Sequence, residues 1–317
     1  MNKNRIIRSV ERQRSTALGP RLILAIALDV VEPSAASGFF RALGLTAIGD
    51  DGMNWAISGE SRPCLTLMTG VRKRLLRLTF GCPPSQIGML CDRAIDAGHA
   101  VHAIAGENGF LLSSPDDLEI AMVTCGDVQA PRPQNGLILA HAPSRTTAPT
   151  ARPLALSHVA IFVTDVDAAL AFYIDIIGLR LSDRCGSELA FLHSPHGSGH
   201  HVLALVRSGG PGLHHYSFEM GTIDAIGLRA AHLAEAGYAQ GWGMGRHVLG
   251  SNLFHYVRDP WGSHAELTTG LDYIAAHADW VAGDHAAHDA FYLWGPAPPA
   301  GFIDNPELQT SETSAAA

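Results

Sequence analysis

LILAIALDVVEPSAASGFFRALGL (Leu22–Leu45) and LSHVAIFVTDVDAALAFYIDIIGL (Leu156–Leu179) follow one plan. Each opens with an alternating apolar run that reads as a strand and reaches an Asp. Each continues as a short amphipathic helix with an aromatic pair, Phe39–Phe40 or Phe172–Tyr173, and stops at Gly-Leu. Working outward, RLLRLTF and SQIGMLCDRAIDAGHAV, from Arg74, match HHYSFEM and DAIGLRAAHLAEAGYAQ, from His214. Both are a strand, then a helix with Ile-Gly near its start and Gly at its stop. Phe110–Val123 matches Phe254–Thr269, each a hairpin around a Pro-containing turn. Three collinear matches with the same punctuation indicate an internal duplication. Each half then carries two βαβββ units, and the expected fold is α+β.

The halves are separated by APRPQNGLILAHAPSRTTAPTARP, whose prolines block both helix continuation and central strand pairing. The expected organisation is a flexible arm over 1–20, a first barrel domain over 21–130 and a linker over 131–153. A second barrel domain follows over 154–275, then a C-terminal extension over 276–317 that reads as an extended tail from Gly295. A short ordered piece is expected within the linker at Leu137–His141.

Composition narrows the function classes. Of 317 residues, 47% are hydrophobic and 16% charged, a globular balance that excludes disorder for most of the chain. The net charge is −8 and no Lys/Arg stripe is present, which argues against a nucleic-acid or anionic-membrane surface. No apolar run is long enough for a membrane span, and no cleavage pattern follows Leu22–Val31, so a cytoplasmic protein without a signal peptide is expected. The five cysteines are widely spaced without a CxxC, which fits reduced thiols. Histidine is in surplus, with 17 copies. It is the commonest metal ligand and titrates near neutral pH.

The two halves differ where chemistry is concerned. In the second, the first strand carries His158, the strand after the Gly-rich loop carries His215, and the last hairpin carries Glu266. Aligned on the Gly-Leu, Ile-Gly and Pro115/Pro260 landmarks, the first half offers Leu24, Leu76 and Ala121 at these places. Burying an unpartnered polar group costs on the order of 1–3 kcal/mol, so an apolar residue is what a barrel without a site prefers. Two imidazoles and a carboxylate on three strands form the facial triad of non-haem Fe(II) enzymes, with positions left open for substrate and dioxygen.

SHVAIFV, SGHHVLAL, LHHYSFE, GRHVLGSNLFHYVRDPWGSHAEL and DYI together resemble the type I extradiol catechol dioxygenases of the vicinal-oxygen-chelate superfamily. The resemblance covers about 22–274 and is more specific in the second half. It implies two glyoxalase/bleomycin-resistance-like domains, each a half-open barrel, with the metal in the second only. It implies Fe(II), with Mn(II) possible, and cleavage of a catechol beside its hydroxyls with insertion of both atoms of O2, as in the catabolism of aromatic hydrocarbons. By the same resemblance His158, His215 and Glu266 are the metal ligands, and His201, His247 and Tyr256 match positions of function. A homo-oligomer is implied as well. The loop between His201 and His215 is slightly shorter than in biphenyl-diol relatives.

The residues themselves agree. A catechol must lose a proton to bind a metal through both oxygens, and a neutral imidazole such as His201 can take it. His247 and Tyr256 would hydrogen-bond the substrate oxygens. His200 and His214, alternating with these on their strands, should point away from the metal. His193, His196, His255 and His264 either line the pocket or bond locally. GWGMGRH (Gly241–His247) reads as a flexible loop carrying His247, and DPWG (Asp259–Gly262) as a hairpin turn. Two other enzymes on this fold, a 4-hydroxyphenylpyruvate dioxygenase and a glyoxalase-type isomerase, are rival readings, as is a metal-free binding protein. The first would need a keto-acid site, the second ligands from both barrels, and the third none of these residues.

Overall fold

The alternating runs form the strands Leu22–Val30 and Ala155–Val163, around which two sheets are laid out in the same order. In this computed structural model, which describes residues 17–126, 144 and 150–308, the first half is an eight-stranded sheet. It runs Thr46–Ile48, Asn54–Ala56, Leu65–Thr69, Leu22–Val30, Arg74–Cys82, Glu119–Thr124, Gly109–Ser113, His102–Ala103. The second repeats that order through Arg180–Cys185, Leu189–His193, Leu203–Arg207, Ala155–Val163, Gly212–Glu219, His264–Thr269, Leu253–Arg258 and Gly241–His247. It adds an edge strand at each end, Gly283–Asp284 and Tyr292–Trp294. The helices Ser37–Leu43 and Val166–Phe172 follow the first strands, and Ile87–Asp96 and Ile223–Glu235 the later ones. Asp165 and Thr222 cap the second-half helices by accepting from the amides of Ala168 and Ala225. The Gly-Leu stops place Gly44 and Gly178 at φ 97° and 91°, a left-handed conformation that only glycine adopts without strain.

Strand alternation divides each sheet into a helix face and a concave face. Ile26, Leu28 and Val30, like Val159, Ile161 and Val163, join Phe39, Leu90, Leu170 and Leu233 in one apolar core that runs through both halves. Each such side chain contributes about 1.5–3 kcal/mol on burial. Lys73, in the first half, is buried against the second. It donates to Ser263 and to the Leu213 carbonyl and pairs with Glu307 at 3.3 Å.

The irregularities of the two sheets match as closely as the strands. Pairing of Leu22–Val30 with Arg74–Cys82 skips Leu24 and Leu76, and pairing of Ala155–Val163 with Gly212–Glu219 skips Ser157 and His214. These are β-bulges, one extra residue in one strand. Aligned bulge to bulge, His158 has Ala25 as its counterpart and His215 has Arg77. The parallel pairs Thr79↔Ala121 and Ser217↔Glu266 make Ala121 the counterpart of Glu266. The expectation of Leu24 and Leu76 is therefore off by one residue, while Ala121 stands. For Leu76 the cause is one extra residue before the Ile-Gly landmark, Gly227 lying 13 positions after His214 and Gly88 12 after Leu76. For Leu24 it lies in the helix that follows. Gly44 lies 20 positions after Leu24 and Gly178 21 positions after Ser157, and the second-half helix ends in a π turn, Tyr173–Ile177. A π turn absorbs one extra residue, so the Gly-Leu landmark carries that offset back onto the strand.

Three other expectations change. The end of the chain is not an extended tail as far as Leu308. The Trp242 indole donates to the Pro296 carbonyl at 2.8 Å, and Phe302, Asn305 and Glu307 are buried. Residues 17–20 of the arm pack on both halves, through Gly19 to Gln86 and the Pro20 carbonyl to Ser194. Gly241–His247 is a strand paired with Leu253–Arg258, not a loop. The expected element at Leu137–His141 and the arm before Ala17 lie outside the described residues. No helix among the described residues is long and apolar enough to cross a membrane.

Candidate metal centre

His158, His215 and Glu266 lie on three neighbouring strands of the second sheet and project from its concave face. One donor atom from each falls within 4.8 Å of the others. His158 Nε2 is 3.2 Å from His215 Nε2 and 2.8 Å from Glu266 Oε2, and His215 Nε2 is 3.6 Å from that oxygen. All three side chains are buried. Although Oε2 is close to His158, it lies off the line of a hydrogen bond and no donor satisfies it. A buried carboxylate oxygen without a donor is costly unless a cation faces it. Burial works to raise the Glu266 carboxyl, but the nearby His158 and His247 imidazoles outweigh it and hold the group below its usual range. Burial, then the neighbouring His214, His158 and His201, push His215 well below the usual imidazole value, so it is neutral and offers a lone pair. Two imidazoles and a carboxylate converging on one point fit a divalent ion of the Fe(II) or Mn(II) kind.

The bulge residues hold the ligands from behind. Ser157 Oγ is 3.3 Å from His158 Nδ1, and His214 Nδ1 is 2.6 Å from His215 Nδ1. Asn252 donates to Glu266 Oε1 at 3.1 Å and to Thr268 at 2.8 Å. Such outer partners fix ring orientation and tautomer. Because a bulge breaks strict alternation, His214 does not point away as expected. It shares the cavity wall with His215 and packs on Phe162 and Phe302. Neither Ser157 nor Asn252 is singled out by the sequence. Ser157, flanking a ligand at a bulge, leaves no periodic signal at all.

The triad opens into a cavity of about 330 Å³, within the usual range for small-molecule sites. Its wall draws on Phe191, Ala204, His215, Tyr256 and Glu266, from strands spread across the whole sheet. That convergence requires the sheet to curl into a half-open barrel. A larger cavity, about 410 Å³, lies between the halves beside Lys73 and Asp116, and none of the three ligand residues lines it.

His201, His247 and Tyr256 line the same cavity as the triad. The His201 ring centroid is 4.2 Å from that of His158 and 4.8 Å from that of Phe191. Burial, then His158, His200 and His247, hold His201 well below the usual value, so it is neutral. His247 Nε2 is 3.0 Å from the Tyr256 hydroxyl, and the Phe291 carbonyl at 2.8 Å accepts from His247 Nδ1. That bond leaves Nε2 as the acceptor. Burial, then the Glu266 charge, push the Tyr256 phenol well above its usual value, so it remains a donor. His200 turns away from the cavity toward Asp183 at 2.8 Å. His193 bonds Ser182, and His196 bonds Gly19 and Gln86. Neither these two nor His255 and His264 line the cavity.

Comparison with known proteins gives consistent matches. The model of the Glyoxalase/Bleomycin resistance protein/Dioxygenase superfamily matches residues 155–267. Metapyrocatechase 2 of Cupriavidus necator is 37% identical over 311 residues, covering 94% of this chain and 97% of that relative. Among solved structures, the Mn(II)-bound glyoxalase from Novosphingobium aromaticivorans is similar with a TM-score of 0.71 at 22% identity, over 92% of this chain and 99% of its own. An extradiol ring-cleaving dioxygenase from B. fuscum reaches 0.72 at 17% identity, over 91% of this chain and 83% of its own. At these identities the structural likeness is one of fold.

Proposed function

The chain belongs to the type I extradiol dioxygenases of the vicinal-oxygen-chelate superfamily, and on that premise we propose that its second barrel cleaves a catecholic ring beside the hydroxyls at one Fe(II) held by His158, His215 and Glu266. The observation that carries this reading is the Glu266 oxygen, buried without a donor and facing two imidazole nitrogens in a cavity. When bound, the metal supplies adjacent positions for catecholate and O2 and acidifies the ligated hydroxyl. Mn(II) suits the same donors.

The remaining chemistry is assigned to the chain's own side chains. His201, neutral and beside His158, accepts a proton from the catechol. On substrate binding Tyr256 turns its one hydroxyl hydrogen from His247 Nε2, 3.0 Å away, to a substrate oxygen. Phe191 and Phe302 restrict water around them. An isomerase drawing ligands from both halves would find only Ala25, Arg77 and Ala121 in the first. Exposed Val281, Leu293 and Ile303 on the C-terminal extension support association between copies.

The wall beyond the triad is built from Val206, Leu249, Ala287, Phe291 and Ile303. Its cationic lining residue, Arg207, is paired with Glu188 at 2.7 Å. This supports a catechol with an apolar substituent over one bearing a carboxylate, whose charge would be desolvated without a partner. After anaerobic reconstitution with Fe(II), kcat/KM for 3-methylcatechol or 2,3-dihydroxybiphenyl should exceed that for 3,4-dihydroxybenzoate by roughly 100-fold, read as formation of the yellow ring-opened product. A preference for the carboxylated substrate would overturn the assignment, and no yellow product from any catechol would overturn the activity.

A further inference from the structure

Behind His201, on the side away from the metal donors, runs a row of groups that the ring-cleavage reading does not use. His201 Nδ1 is 3.1 Å from His200 Nδ1. His200 Nε2 is 2.8 Å from Asp183 Oδ2. The other Asp183 oxygen, Oδ1, accepts from the Gly283 amide at 2.7 Å and from His285 Nε2 at 2.9 Å. Asp183 and His200 are buried, whereas His285, on the C-terminal extension, is half-exposed. His200 is held on every side. Its amide donates to the Asp272 carbonyl, its carbonyl accepts from Ser182, and Trp280 packs edge-on to its ring at 5.8 Å.

The protons in this row follow from donor and acceptor capacity. A carboxylate only accepts, so His200 Nε2 carries the hydrogen that meets Asp183. With a single hydrogen on His200, its Nδ1 is bare and can only accept. The 3.1 Å contact is therefore donated by His201 Nδ1–H, and the nitrogen left without a hydrogen on His201, which lines the cavity, is Nε2.

We propose that Asp183 and His200 are positioning residues that fix the tautomer of His201, presenting a bare Nε2 to the cavity. The use of that nitrogen rests on the ring-cleavage reading; the tautomer itself does not. When Nε2 takes a proton, the substrate O–H bond breaks and an N–H bond forms. The resulting imidazolium is stabilised through its Nδ1–H by His200 and, beyond it, Asp183. The C-terminal extension enters this arrangement because Gly283 and His285 set the rotamer of Asp183.

Asp183→Asn isolates the effect. Gly283 N–H and His285 Nε2–H both require an oxygen at the Oδ1 place, so the new amide nitrogen replaces Oδ2 and faces His200 Nε2. Two donors cannot meet. His200 moves its hydrogen to Nδ1, His201 Nδ1 becomes the acceptor, and His201 Nε2 takes the hydrogen. The shape is unchanged and the tautomer inverted. In the full chain labelled with 15N-histidine and loaded with diamagnetic Zn(II), long-range 15N–1H correlation should show His201 as Nδ1–H in the wild type and Nε2–H in Asp183→Asn. With Fe(II), kcat should fall about 10- to 100-fold while KM and metal content stay within about twofold, the range typical of groups that orient a functional residue. Should Asp183→Asn fail to fold, His200→Phe removes the acceptor and should give a mixture of His201 tautomers with a similar fall in kcat. Nε2–H in the wild type, or the same tautomer in both proteins, overturns the proposal. So does a fall in kcat that only follows lost metal. If the wild type cleaves no catechol, the ring-cleavage reading fails while the correlation spectrum still decides the tautomer.

Discussion

The first and second halves share strand order, left-handed helix stops and a pair of bulges at matching places, yet among the described residues only the second brings together a set of side chains that could hold a metal. Where the second has His158, His215 and Glu266, the first has Ala25, Arg77 and Ala121. Arg77 is paired with Glu119, and both are about 40% exposed, an interaction worth little in water. The bulges teach more. Ser157 and His214 contact the far nitrogens of the two imidazole ligands, and their counterparts are Leu24 and Leu76, which offer no hydrogen bond. Thus the first half lacks both the ligands and the groups that orient them, while keeping the backbone irregularities that would place such groups. The shared bulges are a property of the duplicated fold, and the chemistry was fitted to them in one copy.

The largest test of this asymmetry is Glu266→Ala. Metal content should drop from about one ion per chain to near zero, because two imidazoles alone hold a divalent ion poorly, and turnover should go with it. Metal analysis checks this, and full occupancy in the variant would break the distinction between the halves. Tyr256→Phe, which loses a hydrogen bond to a charged oxygen, and His247→Phe, which loses the group that holds the Tyr256 hydroxyl, should each keep the metal and lose about 10- to 150-fold in kcat/KM. Unchanged steady-state kinetics would remove both residues from the substrate's oxygens.

Importing the first half's residues sharpens the comparison further. Ser157→Leu and His214→Leu leave the three ligands in place but strip their outer partners. Metal affinity should weaken about 10- to 100-fold in each, measured by competition with a chelator. Affinity equal to the wild type would mean that the bulge residues are bystanders.

The smallest effect concerns acid stability. Described histidines of the first half, His99 and His102, are half-buried or exposed, whereas His193 in the second is buried. Burial, then the Arg180 charge and His200, push His193 down to about 3 from its usual 6.5. The unfolded chain therefore takes up this proton before the folded chain does. Stability from this group is intact above about pH 6.5 and is lost as pH falls toward 3, by about 1.4 kcal/mol per pH unit. Thermal or urea unfolding between pH 7.5 and 5 should show a slope that His193→Gln reduces by about one proton. An unaltered slope would place the acid sensitivity elsewhere.

Much of this was legible in the sequence because it is periodic. The duplication, the α+β class and the contrast between a half with three donor residues and one without follow from strand alternation and glycine stops. What escaped was aperiodic. Leu24 and Leu76 were matched to the ligands instead of Ala25 and Arg77 because the second half holds one extra residue before each glycine landmark, in the first case a π turn, without altering composition. One residue of slip exchanges the two faces of a strand. Asn252, Ser157 and Asp183 act across the sheet from positions that no local pattern marks. The His200–His201 and His214–His215 doublets were visible, but only side-chain geometry separates the member facing the cavity from its support. The segment after Gly295 reads as a tail because its prolines exclude helix and strand, yet Phe302 and Glu307 still bury themselves against the barrel.

The central claim, dioxygen inserted into a catechol ring at the second half's triad, is tested most directly by isotope. The Fe(II)-loaded protein and its Glu266→Ala variant would be given 3-methylcatechol under ¹⁸O₂, with the products read by mass spectrometry after correction for exchange with water. The account predicts a ring-opened product carrying both labelled atoms from the wild type and none from the variant. A singly labelled product, an unopened ring, or equal product from both proteins would contradict it.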